Sequence, residues 1–129
     1  MPWLIALGSA LGGVTRWWLG GLFQRWFDAG FPGGTLVVNV TGCLLIGVLM
    51  RYAMDSTALT PGARALLVTG FCGGYTTFST FSYESLRLAQ DGQWRSVALY
   101  VGGSLVLTLA AVALGWMAGG ALLTLRRAA

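Results

Sequence analysis

Leu66-Leu-Val-Thr-Gly70-Phe-Cys-Gly-Gly74-Tyr-Thr-Thr-Phe78-Ser-Thr-Phe81-Ser-Tyr-Glu84 is where the chain stops reading as a plain apolar span. Three glycines fall within five residues, and five hydroxyl residues follow within seven. Gly73-Gly74 in mid-helix favours a break that frees backbone carbonyls and amides. In lipid, such groups must be satisfied by protein, water or an ion. A discontinuous helix builds an ion site in this way, carbonyls meeting cations and amide ends meeting anions. A glycine-rich packing kink, with hydroxyls bonded back to their own helix, accounts for the same residues.

The surroundings of this stretch make lipid the relevant solvent. The chain has 129 residues, 56% hydrophobic and 9% charged, against roughly 25% charged in soluble domains. Apolar runs cover residues 4–15, 31–50 and 97–125, and about 20 such residues cross the hydrocarbon core as a helix. Four helices are expected, at about 3–23, 34–53, 63–88 and 96–125, in one domain. Between them stand the turn formers Asp28 to Gly34, Asp55-Ser56-Thr57 with Pro61-Gly62, and Gln90-Asp91-Gly92. Trp3, Trp17, Trp18, Trp26 and Trp94 lie near the helix ends, as interfacial anchors do. The fold class is therefore all-α membrane protein. Twenty glycines suit it: the small-xxx-small pairs Gly8/Gly12 and Gly115/Gly119 let helix backbones approach.

Other classes lose ground. There is no His, and Cys43 and Cys72 stand without metal-ligand or redox spacing, so zinc and His-based chemistry are not expected. The net charge of +4 comes from arginine alone, dispersed beside apolar segments rather than in a nucleic-acid-binding tract. No basic region precedes the first span, so no signal peptide is expected.

With four crossings, Arg51, Arg64, Arg126 and Arg127 share one side of the membrane. Arg25, Arg87 and Arg95 share the other, with Arg16 in the nearer half of helix 1. Orientation follows an imbalance of Lys and Arg, and here there is almost none. Insertion both ways would let two copies pair antiparallel, imitating an inverted repeat. A weak bias concealed by the loop boundaries is the alternative.

Candidate site residues follow from faces. Phe78 and Phe81 are three apart and share one helix face; Ser79 and Ser82 share another, and Thr76 and Thr80 a third. A ring edge is positive and can contact an anion, although two packed phenylalanines are the plainer reading. Thr35 and Asn39 lie a turn apart on helix 2, and Tyr100, Ser104 and Thr108 repeat every fourth residue on helix 4. Polar groups at this depth face protein or a watery cavity. Arg16 either snorkels to the interface or draws anions into a vestibule.

Taken together, Gly12-Gly-Val-Thr-Arg16, Gly34-Thr-Leu-Val-Val-Asn39-Val-Thr-Gly42 and Thr69 to Ser82 resemble the CrcB/Fluc family of fluoride channels, in order and over essentially the whole chain. The resemblance implies a dual-topology antiparallel homodimer in a prokaryotic inner membrane, with helix 3 broken mid-membrane. It implies two fluoride pores and a central structural Na⁺ held by the carbonyls of Gly73 and Thr76. It places Phe78, Phe81 and Asn39 in the pore, with Ser79, Thr80, Ser82, Tyr100, Ser104 and Thr108 along a polar track. Glu84 falls near the pore's end, and Tyr75 stands where many members have an aliphatic residue. The function implied is passive export of fluoride that entered an acid-stressed cell as HF.

A proton-coupled multidrug exporter of this size would need a carboxylate in helix 1, where this chain has Arg16. An enzyme would have to work without His or Lys. A purely structural subunit would not need hydroxyls on several faces of a broken helix.

Overall fold

The computed structural model describes residues 1–55 and 57–129; Ser56, one of the expected turn formers, lies outside them. Among the described residues the chain is helical without strands. Helix α1 is Pro2–Gln24 and α2 is Gly33–Asp55. Helix α3 covers residues 61–75 in three pieces: Pro61–Arg64, a π-helical run Ala65–Cys72, and Gly73–Tyr75. Helix α4 is Phe78–Gln90 and α5 is Trp94–Ala128.

Local chemistry sets these ends. Pro2 and Pro61 sit in first turns, where a missing N–H costs nothing. The Thr60 hydroxyl accepts from the Ala63 N–H at 3.2 Å to cap α3. Helix α4 closes on Gly92 at φ 71°, with Gly92 N–H donating to the Ala89 carbonyl and Gln93 N–H to Leu88. That pair of bonds satisfies the last carbonyls, and its left-handed residue favours glycine. Gln24 joins α1 to α2: its Nε2 donates to the Phe31 carbonyl (2.8 Å) and its Oε1 accepts from Gly34 N–H (2.9 Å).

Glycines let backbones touch. A Cβ on Gly8 would strike the Leu66 carbonyl oxygen, and one on Gly12 the Phe71 carbonyl oxygen, so α1 lies directly on α3. The same relation joins Gly47 of α2 to Val112 of α5, and Gly115 of α5 to Leu44 of α2. Helix α2 packs chiefly on α5, and α1 chiefly on α3.

The exterior is apolar. Trp17, Val14, Val106, Leu109, Met117 and Leu125 are all exposed, a surface that water would penalise. Among the described residues two helices, α2 and α5, are long and apolar enough to cross a membrane, with mean hydropathy 1.9 and 2.2. Only 28% and 17% of their apolar windows are buried within the chain, unlike a soluble core helix. The other expected spans do not meet that test. Arg16, the glycines and the tryptophans dilute α1, and an interruption after Tyr75 divides the third span into shorter pieces.

Candidate functional site

The interruption lies at Thr76 and Thr77, not at the glycine pair. Gly73 keeps helical angles (φ −64°, ψ −35°), and Gly73–Tyr75 is helical. Thr76 (φ −81°, ψ 158°) and Thr77 (φ −151°, ψ 122°) are extended. The glycines serve packing instead: a Cβ on Gly74 would strike the backbone of Ser9 in α1. Two β-branched residues in succession take the extended form readily. Thr77 then caps α4, its hydroxyl accepting from Thr80 N–H at 3.2 Å.

Asn39 of α2 fastens this segment. Its Nδ2 donates to the Thr77 carbonyl at 3.0 Å and its Oδ1 accepts from the Thr77 N–H at 2.8 Å. Nδ2 carries a second hydrogen, left for the groove that Asn39 lines. Two residues earlier, the Tyr75 hydroxyl lies 2.8 Å from the Thr41 hydroxyl, with Tyr75 itself buried. Helix α2 thus grips the chain at the interruption and just before it.

The carbonyls of Gly73, Gly74, Tyr75 and Thr76 all lose their helical donors as a result. In a continuous helix Thr77 N–H would bond the Gly73 carbonyl and Thr80 N–H the Thr76 carbonyl. Here those donors go to Asn39 Oδ1 and Thr77 Oγ1.

A groove of about 210 Å³ opens between α2, the interruption and α5. Asn39, Cys43, Thr76, Thr77, Phe78, Phe81, Ser104 and Thr108 line it. The Phe78 and Phe81 rings are tilted at 42° with centroids 5.5 Å apart, and Phe78 is 76% exposed. Ser104 is 6% exposed, and its hydroxyl has no hydrogen-bond partner among the described residues. Thr108 donates to the Ser104 carbonyl at 2.6 Å.

A second groove, of about 500 Å³, lies across the interruption, with Arg16, Thr35, Thr77, Thr80 and Glu84 on its wall. Thr77 borders both grooves. The Glu84 carboxylate accepts from Thr35 Oγ1 at 2.9 Å and from Tyr100 Oη at 2.7 Å. Tyr100 is fully buried and lies against Phe81, centroids 5.3 Å apart.

The structure therefore sorts the expected residues. It brings Asn39, Phe78, Phe81, Ser104 and Thr108 to one groove, and Thr80 and Arg16 to the other. Tyr100 leaves the row it shares with Ser104 and Thr108, because its hydroxyl turns to Glu84. Ser79 and Ser82 border neither groove. The Ser79 hydroxyl lies 3.2 Å from that of Thr77, and the Ser82 hydroxyl donates to the Phe78 carbonyl of its own helix at 2.9 Å. Thr76 and Thr80 share no helix face, since the interruption separates them. Sequence reasoning missed Thr77 and Cys43, yet each carried a signal. Thr77 precedes a helix as caps do, and Cys43 stands one turn beyond Asn39.

Residues 3–116 match the family model described as CrcB-like protein, Camphor Resistance (CrcB). The chain belongs to the CrcB-like family. It is 48% identical over 112 residues to a protein of Nitratidesulfovibrio vulgaris named fluoride-specific ion channel FluC, covering 87% of this chain and 90% of that one. A protein of the same name from Thermus thermophilus is 48% identical over 119 residues, covering 92% and 94%. One from Acidobacterium capsulatum is 46% identical over 115 residues, covering 89% and 92%. Membership sets this chain among ion channels, not enzymes.

Proposed function

We propose that the chain is a fluoride-selective channel that lets F⁻ leave the cell passively, crossing the inner membrane of a prokaryote four times. The observation that carries this reading is the meeting of two grooves at Thr77. One bears Arg16 and Thr80; the other bears the Phe78–Phe81 pair, the Asn39 amide and the unpartnered Ser104 hydroxyl. Fluoride is small and strongly hydrated, and hydroxyl and amide donors replace its water without the fixed positive charge that would trap it. Conduction needs binding that admits the ion and still releases it. Arg16 stands where it draws anions in, and the ring edges form an apolar constriction that disfavours larger anions.

The working unit in this reading is an antiparallel homodimer with two pores. Its support is the near-equal arginine count on the two sides and the open flank of the Phe78 groove, which a second copy would wall. Interruption of the third span at Thr76–Thr77 then falls at mid-membrane. For a structural Na⁺ the family resemblance points to the Gly73 and Thr76 carbonyls: like those of Gly74 and Tyr75 they have lost helical donors at the interruption, and carbonyls at such breaks coordinate Na⁺ in membrane proteins. Gly73 is exposed, with open space where a Cβ would stand, as a carbonyl shared with a second copy requires. The cation would supply the positive charge that balances these oxygens at the dimer centre.

Fluoride efflux from liposomes containing the purified protein, followed with a fluoride electrode and a potassium ionophore, tests the proposal against a chloride control. Rapid release of fluoride alone is expected. No fluoride release from folded dimers overturns it.

A further inference from the structure

At the end of α2 and α5 remote from the Phe78 groove, a third recess of about 610 Å³ is lined by Met54, Asp55, Thr57, Leu123, Arg126 and Arg127. Its carboxylate is taken: Asp55 pairs with Arg51 at 2.8 Å. The two remaining guanidiniums are held by neutral acceptors. Arg126 donates to the Tyr52 hydroxyl at 2.6 Å and lies over that ring, 5.9 Å from its centroid. Arg127 donates to the Asp55 backbone carbonyl at 3.2 Å. Neither has a carboxylate partner among the described residues, so two oriented positive charges face one recess. Four arginines stand at this end of the bundle against one aspartate; the opposite connectors carry three arginines against two aspartates.

We infer that this recess binds the phosphate head group of an anionic phospholipid. Guanidinium matches phosphate oxygens in a planar, bidentate way, and basic pockets between helices at the membrane boundary take acidic head groups. Free phosphate shares that chemistry. The lining favours the lipid, because Met54 and Leu123 join the arginines and Leu122 and Leu125, on the same turns of α5, are exposed. A head group on Arg126 and Arg127 would thus lay its acyl chains on a ready apolar flank. The inference rests on the membrane-spanning reading but not on what the channel conducts. In an antiparallel dimer each leaflet would hold one such lipid.

Native mass spectrometry of the purified full chain in detergent tests this. Phosphatidylglycerol, phosphatidylcholine of the same acyl chains, and inorganic phosphate are added in turn. Retention of phosphatidylglycerol over phosphatidylcholine is expected, weakened about tenfold or more in Arg126→Gln/Arg127→Gln, given the attraction of each arginine for an acidic surface. Tyr52→Phe, which keeps both charges and frees Arg126 from its hydroxyl anchor, should weaken it less. Arg25→Gln, at the opposite end, should leave it unchanged. Equal retention of the two lipids, or a double variant that still retains phosphatidylglycerol, overturns the inference. Inorganic phosphate that binds alone and displaces the lipid shows a free-anion site and overturns the lipid assignment.

Discussion

Asn39 and Thr77, 38 residues apart in sequence, exchange two hydrogen bonds, at 3.0 and 2.8 Å, that replace what the helix loses where it is interrupted. The side-chain amide matches one peptide donor and one peptide acceptor at once, which a carboxylate or a methyl cannot do. Asn39→Ala removes both bonds at a cost of about 2 kcal/mol, at about 1 kcal/mol for each neutral bond. It leaves Thr77 unpaired between the two grooves. Fluoride efflux should fall to background while the helical circular-dichroism signal persists, and Asn39→Asp, which cannot donate to the Thr77 carbonyl, should do no better. Normal efflux in both variants would remove Asn39 from the pathway.

Close backbone approach makes a second prediction. At Gly12 and Gly115 an added Cβ meets carbonyl oxygens of the facing helix, whereas at Gly21 it meets nothing within 4 Å. Gly12→Val and Gly115→Val should each destabilise the protein by roughly 1–3 kcal/mol, the usual range for overpacking. Gly21→Ala should hold or raise stability, since alanine is the better helix former. Thermal unfolding in detergent compares them, and an equal loss at all three positions would contradict the packing described here.

Helix ends were legible where the chemistry is local. Pro61 after Thr60, and Gly92 after Asp91, announce a start and a stop without reference to the rest of the chain. The interruption was legible in existence but not in place. Gly73 and Gly74 read as a hinge, yet Gly74 is small because Ser9 presses on it, a fact of tertiary packing. The extended pair Thr76–Thr77 is held by Asn39 from another helix. Site residues divided in the same way. Ser104 and Thr108 face the groove as their spacing suggests, but Tyr100 follows Glu84 and Ser82 bonds to its own helix. Spacing gives a face, and the partner across the interface decides which groups on it stay free. The π-helical run at Ala65–Cys72 had no counterpart in the pattern of apolar residues.

The ring pair separates a mechanistic role from simple packing. Phe78 is largely exposed and touches Phe81, which in turn leans on Tyr100. Phe78→Ala removes little buried surface from the protomer, so its folding cost should be small, below the roughly 3–5 kcal/mol of a core Phe→Ala change. Its effect on transport should be large: lower fluoride flux and a raised ratio of chloride to fluoride release. Phe81→Ala should show the same transport change with a greater loss of stability. Flux and selectivity unchanged in both would show that the rings pack and do nothing more.

Ser104 offers a test in which stability and activity move in opposite directions. Its hydroxyl is buried beside the groove without a partner among the described residues, an arrangement that costs about 1–3 kcal/mol in desolvation. A fold selected for stability alone would place alanine there, and Ser104→Ala should leave the unfolding temperature unchanged or raise it. If the hydroxyl is held unpaired to donate to a passing anion, the same change should slow fluoride release several-fold. Thr108→Val, which removes the donor to the Ser104 carbonyl at 2.6 Å, should lower stability and so separate the two effects. A Ser104→Ala protein that is less stable and transports normally would mean that the hydroxyl serves packing and does not donate to a passing anion.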